Sequence, residues 1–153
     1  WKAKELGMNT RFIELAGEIN TAMPHYVVQK VGEALNSVGK AIKGSKILIL
    51  GLAYKKNVDD TRESPSLELI KLIMEKGAEV NYHDPFIPLI PIIRNYKIEL
   101  TGKELTSETL QSADLVLLAT NHDGFDYDLI KEEAKLIVDT RGVFKKSDKV
   151  FSA

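Results

Sequence analysis

Apolar residues in this 153-residue chain change rhythm near residue 45, from a helical period to short unbroken runs. In the first part Phe12, Ala16, Ile19, Met23, Tyr26, Val27, Val31, Ala34 and Leu35 recur every three to four positions. That spacing predicts a helix over 10–39 with a single apolar stripe. Thr10 is placed to cap it and Gly39 to end it. Pro24 removes an internal hydrogen bond, so a kink or a restart is expected there. At about 1.5 Å per residue such a helix reaches ~45 Å, longer than a small domain is wide. A subunit or domain partner is therefore expected along the stripe.

Beyond residue 45 strands and helices alternate. Lys46–Leu50 predicts a buried strand, Pro65–Lys76 a helix closed by Gly77, and Glu79–His83 a strand stopped by Asp84-Pro85. Phe86–Tyr96 contains Pro88 and Pro91 and is expected to be a loop or broken turn. A short strand near Lys97–Leu100 and a helix near Ser107–Ser112 follow. Next come a buried strand Leu115–Ala119, the polar turn TNHDGFD, a helix Tyr127–Ala134 and a strand Leu136–Asp139. Strands separated by helices indicate βαβ units. The expected class is α/β: a doubly wound, mainly parallel Rossmann-like sheet preceded by a long helix.

Composition narrows the function. With 44% hydrophobic and 28% charged residues the chain is neither disordered nor of low complexity. A net charge of −1 offers no global attraction to nucleic acid or acidic lipid, so an anion site must be a local cluster. No apolar run approaches the roughly 18 residues that span a bilayer, so no membrane partner is expected. Zero cysteines exclude disulfides, thiolate ligands and a cysteine nucleophile within these residues. His25, His83 and His122 have no metal-ligand spacing, and no metal site is expected. The first residue is Trp1 rather than Met, which suggests a piece of a longer protein.

The richest chemistry follows the first strand. Lys55, Lys56, Asp59, Asp60, Arg62 and Glu63 crowd the loop before the helix, with Ser64 as its N-cap and Pro65 at its first position. Ligands in open α/β sheets sit at the carboxyl ends of strands, and cations there suit a phosphate. Lysines and aspartates that merely cancel in solvent are the competing reading. Gly51-Leu52-Ala53-Tyr54-Lys55-Lys56 is not a dinucleotide fingerprint, because the third and sixth positions are Ala53 and Lys56 and the helix begins too late. After the last predicted strand, Asp139-Thr140-Arg141-Gly142 offers Arg141 as a phosphate clamp, or as a helix cap or partner of Asp139. Thr120-Asn121-His122-Asp123 offers polar groups for a ribose or base. A phospho-receiver is rejected, because Gly51 and Asp139 stand where it needs an acidic pair and a lysine.

Taken together, ILGLAYKKNVDDTRESPSLELI, RFIELAGEINTAMPHYVV, LVLLATNHDGFDY and LIVDTRG resemble the UDP-glucose/GDP-mannose dehydrogenase family over essentially the whole chain. The wording is most similar to UDP-N-acetylglucosamine and UDP-N-acetylmannosamine 6-dehydrogenases. The resemblance implies that residues 1–44 end a central helical dimerisation domain and that 45–153 form a UDP-sugar-binding domain. It implies Tyr54, Lys55 and Arg141 at the UDP-sugar, Arg62 at the pyrophosphate of NAD, and Glu63 and Ser64 as supports. NAD would be held mainly by an amino-terminal domain outside this chain. The implied activity is NAD-dependent oxidation of a sugar C6 hydroxyl to carboxylate in the cytoplasm, for polysaccharide biosynthesis. A homodimer through the helix 12–38 is implied too. Without a cysteine or a glycine loop this chain alone is expected to bind nucleotide and to catalyse nothing. A stand-alone nucleotide-binding or scaffold domain is the alternative.

Overall fold

The computed structural model describes residues 10–62, 64–90, 98 and 100–153. Five parallel strands form one sheet: β1 (Lys46–Leu50), β2 (Glu79–His83), β3 (Leu115–Leu118), β4 (Ile137–Asp139) and β5 (Val150–Ser152), in the order β2-β1-β3-β4-β5. Helices α1 (Arg11–Ser37) and α2 (Pro65–Glu75) cover one face, and α3 (Ser107–Ser112) and α4 (Tyr127–Glu133) the other. The cause lies in the strand sequences. Ile47 and Ile49 point into the core shared with Val31, Leu35, Leu67 and Ile70, while Leu48 and Leu50 point into that with Leu110, Phe125 and Ile130. A strand buried on both faces must be apolar at every position, which is why KILIL and LVLL carry no alternation. The doubly wound α/β class is as expected.

Element limits fall within two residues of expectation, with some corrections. β5 was not anticipated; three residues carry too little pattern, and the strand exists through its pairing of Ile137 with Val150 and Asp139 with Ser152. β4 is therefore internal, so Arg141 does not lie beyond a sheet edge. α1 runs without restart through Pro24, which is buried on the core side. Thr10 does not cap α1 with its side chain. At φ −100° and ψ 9° its hydroxyl turns outward and donates to Glu14 Oε1 at 2.7 Å. Residues 91–97 and 99, which include half of the expected strand near Lys97–Leu100, lie outside the described residues, as does Glu63. Leu89 pairs with Thr101 in an isolated antiparallel bridge.

The end of α1 follows the expectation for Gly39. Its N–H donates to Asn36 O (3.0 Å) and that of Lys40 to Leu35 O (3.0 Å), with Gly39 at φ +72°. Gly51, at the end of β1, is more constrained. Its φ is +86°, and a Cβ there would lie 2.4 Å from Thr120 O. The chain of β1 thus turns hard against the end of β3, and only glycine fits. Both glycines suffer the left-handed penalty on mutation to alanine, about 1–2 kcal/mol, but only Gly51 adds a backbone clash. Urea unfolding should show Gly39→Ala destabilised by about 1 kcal/mol and Gly51→Ala by at least about 3 kcal/mol. Equal losses would show that the contact with Thr120 relaxes freely.

Candidate functional site

Strand order reverses between β1 and β3, and the loops leaving their carboxyl ends border the crevice where open α/β sheets take ligands. The loop after β1 spans 51–64. Ser64 caps α2 as expected, its Oγ accepting from Ser66 N (3.2 Å), and it also donates to Leu52 O (2.7 Å). That second bond ties the helix start to the strand end, so the intervening residues bulge outward. Tyr54 and Lys55 sit on the bulge, both exposed. The Lys55 ammonium lies 4.9 Å from the centre of the Tyr54 ring, and its hydrogen bond to Tyr54 raises its pKa. The ammonium is charged at neutral pH and sits on an aromatic platform.

The other cations are paired. Lys56 binds Asp123 of the loop after β3. Arg62 grips Asp60 through Nε (3.0 and 3.2 Å) and Nη2 (2.8 Å), with its side chain 89% exposed. These hydrogen bonds, with one from the Arg62 backbone N–H, hold the Asp60 carboxyl at about 2 against an ordinary 3.8. The expectation of self-cancelling charge holds for these pairs, but the lysines do not pair with Asp59 and Asp60 as neighbours in the loop.

Arg141 follows β4 on the same sheet edge, with β3 between it and β1. Neither a helix cap nor a side-chain pair with Asp139 holds it. Its Nε donates to Ala119 O (2.6 Å), drawing the guanidinium toward the end of β3. Buried Asp139 instead accepts from the backbone N–H groups of Arg141 (2.8 Å), Gly142 (2.9 Å) and Phe144 (2.8 Å). Arg141 lines a cavity of about 190 Å³ with Met23, Pro24 and Val27 of α1 and Pro65 and Ser66 of α2. The β3 end links the two cationic loops, because Thr120 Oγ1 donates to Ala53 O (2.7 Å).

Asp84-Pro85 does end β2 as expected, but for two of the four polar residues after β3 the expectation fails. Thr120 and His122 are buried, and their polar atoms are committed within the protein rather than offered to a ribose or base. Asp84, read only as a strand stop, is a buried anchor. Its Oδ2 accepts from Leu52 N (2.6 Å), Ala53 N (3.0 Å) and His122 Nε2 (3.0 Å), and its Oδ1 from Phe86 N (2.8 Å) and Ile87 N (3.2 Å). The available signal was an aspartate set directly between a strand and a proline. Among the described residues no group of three or more acidic or histidine side chains is placed to hold a metal, and no helix is long and apolar enough to cross a membrane.

Residues 48–146 match the model of the UDP-glucose/GDP-mannose dehydrogenase family, UDP binding domain. The chain belongs to this family. A UDP-N-acetyl-D-mannosamine dehydrogenase of Methanococcus maripaludis is 35% identical over 95% of the chain and 33% of its own length. An NDP-N-acetyl-D-galactosaminuronic acid dehydrogenase of Ralstonia solanacearum is 32% identical over 89% of the chain and 31% of its own length. Among solved structures, a UDP-D-ManNAc dehydrogenase from Pyrococcus horikoshii superposes with TM-score 0.77 at 25% identity, covering 98% of this chain and 35% of that one. A UDP-glucose dehydrogenase from Pyrobaculum islandicum gives 0.72 at 29% identity, covering 98% and 33%. The chain spans about a third of the length of the curated relatives it matches.

In this UDP-glucose/GDP-mannose dehydrogenase family member the Arg62–Asp60 pair sets a pH dependence. Because the folded pKa of Asp60 is depressed, the pair contributes its full stability above the ordinary carboxylate value. That contribution is lost as pH falls through about 2. A carboxyl-detected NMR titration should place the Asp60 midpoint near about 2, and Arg62→Ala should move it up toward 3.8. An unmoved midpoint would rule out Arg62 as the cause.

Proposed function

We propose that this chain is the UDP-sugar-binding part of an NAD-dependent nucleotide-sugar 6-dehydrogenase. The observation that supports this best is the flanking of the β3 end by two cationic loops, Tyr54-Lys55 after β1 and Arg141 after β4. A diphosphate is long and doubly charged, and it suits one cation on each side of a crevice. Tyr54 offers an aromatic face beside the lysine. Residues 1–44 are then the end of a central helical domain and 45–153 the nucleotide domain. The parent enzyme would work in the cytoplasm on precursors of polysaccharide, as the family resemblance implies.

The β1 loop does not fit NAD by itself. The space a glycine-rich turn leaves for a pyrophosphate is filled at Gly51 by Thr120, and α2 starts at Pro65, far along the loop. The dinucleotide belongs to another part of the parent protein. Arg62 faces solvent and would reach its pyrophosphate by exchanging Asp60 for phosphate; Glu63 and Ser64 would support that loop. When bound, NAD would supply the hydride acceptor, and this chain would hold the sugar nucleotide in place.

The homodimer belongs to the same proposal. Phe12 is 83% exposed, Ile13 69%, Leu15 53% and Ile19 52%, on a helix whose second half is buried. A second copy laid along that first half would cover the stripe.

Calorimetry with UDP should detect binding, and Lys55→Ala should weaken it roughly tenfold or more, the effect of losing one charge-assisted hydrogen bond. Absence of heat and of chemical-shift change with millimolar UDP would refute the assignment. Sedimentation at micromolar concentration should give a dimer that Ile19→Glu dissociates without unfolding the sheet. A monomer at every concentration would show that the stripe has another role.

A further inference from the structure

His122 is wholly buried, with the rings of Phe86 and Phe125 centred 5.1 and 5.3 Å from its own. Both of its nitrogens are nevertheless engaged. The Asn57 backbone N–H donates to Nδ1 at 2.9 Å. A backbone N–H can only donate, so Nδ1 carries no proton. The ring proton therefore sits on Nε2, which donates to Asp84 Oδ2 at 3.0 Å. Asp84 is fixed in turn by four backbone N–H groups from the loops after β1 and β2. A line of polar groups thus runs from the buried pair of Asp84 and His122 out to the exposed Asn57.

Asn57 lies two residues beyond Lys55, at the turning point of the bulge. Its φ is +60°, a left-handed conformation that needs support in a residue with a Cβ. Its side chain donates from Nδ2 to Asp123 Oδ2 (2.6 Å) and accepts from Asp123 N (3.0 Å). Those two contacts, like the Lys56–Asp123 pair, are exposed, where water competes for every partner. The bond to His122 is the shielded one. Losing it would leave Nδ1 of the wholly buried His122 without its donor, and that cost favours the loop shape in which the Asn57 N–H reaches it.

We propose that His122 is the positioning residue of the nucleotide site. Through Nδ1 it holds the Asn57 amide, and so fixes where Tyr54 and Lys55 meet the diphosphate of a UDP-sugar. This rests on the reading of that site given above. A loop ordered before the ligand arrives does not lose its backbone freedom on binding, so the gain appears as affinity.

Variants that remove one nitrogen at a time separate positioning from packing. His122→Asn keeps an acceptor where Nδ1 stands and loses the reach to Asp84. His122→Gln keeps a donor in place of Nε2 and loses the acceptor. Calorimetry with UDP, thermal melting and a long-range ¹H–¹⁵N spectrum of the imidazole are measured on this chain. The wild-type spectrum should show a bare Nδ1 and a protonated Nε2. The UDP dissociation constant should rise about tenfold in His122→Gln and less than about threefold in His122→Asn. His122→Asn should melt at least as early as His122→Gln, because it deprives Asp84 of a donor. Affinity that follows melting temperature across the two variants would overturn the proposal, as would wild-type affinity in His122→Gln or a proton on Nδ1. Failure of the underlying reading looks different: wild type would not bind UDP at all, while the imidazole spectrum kept its tautomer. That result overturns the site and, with it, the role of His122.

Discussion

One buried carboxylate organises the ligand-facing edge of this domain. Asp84 takes five donors, three on Oδ2 and two on Oδ1, drawn from the loops after β1, β2 and β3. Removing a carboxylate from water costs several kcal/mol even after the protein relaxes. It is tolerated only when its lone pairs are filled, and a carboxylate has about four such positions. Five donors saturate it. The loops after β1 and β2 give two donors each, so displacing either leaves a buried charge underbonded, and the loop after β3 joins them through His122. Asp139 repeats the device at the end of β4, where three backbone N–H groups fold the turn that carries Arg141. Scaffold and site are linked here: an acidic residue at the carboxyl end of a strand holds the next loop, and the loop carries the cation outward.

The disposition of the remaining charges follows from exposure. Lys56 with Asp123 and Arg62 with Asp60 are solvent-facing pairs, where water and salt screen the attraction. Pairs screened in this way leave each cation able to exchange its carboxylate for another anion. Lys55 is arranged differently, over the ring of Tyr54. Stacking keeps its ammonium beside the crevice with no carboxylate to be displaced.

How much of this was legible depends on how local each cause is. β1 and β3 were readable because burial on both faces forces an unbroken apolar run, and α2 because Ser64, Pro65 and Gly77 mark its ends. β5 was not, since Val150–Ser152 is a strand only by virtue of β4 beside it. Lys55, Arg62 and Arg141 were singled out by the crowding of cations at strand ends and by the family resemblance. The buried groups that hold the loop of Lys55 were missed. Asp84 and His122 are 38 positions apart, and His122 and Asn57 are 65, so no window of sequence contains the arrangement. His122 also looked exposed in a polar turn, whereas the rings of Phe86 and Phe125 enclose it. Residue type and spacing reveal which groups can meet a ligand; the partners that orient those groups come from tertiary closure.

The long helix joins two environments that a periodic stripe does not distinguish. Val27, Val28, Val31, Ala34 and Leu35 lie in the main core with Ile70 and Leu117, while Phe12, Ile13 and Leu15 face outward. The change occurs around Met23, Pro24 and Val27, and these residues also wall the cavity that Arg141 lines. Proline at that point has no N–H to give the preceding turn, so the helix is held there by side-chain packing more than by its own ladder. A bend taken up at Pro24 would move the wall of the Arg141 cavity before it moved the core. The exposed stripe of α1 and the cavity beside Arg141 meet at Met23, which is part-exposed and also lines that cavity. In this fold a single helix with Pro24 inside it runs from the exposed stripe to the cavity beside Arg141.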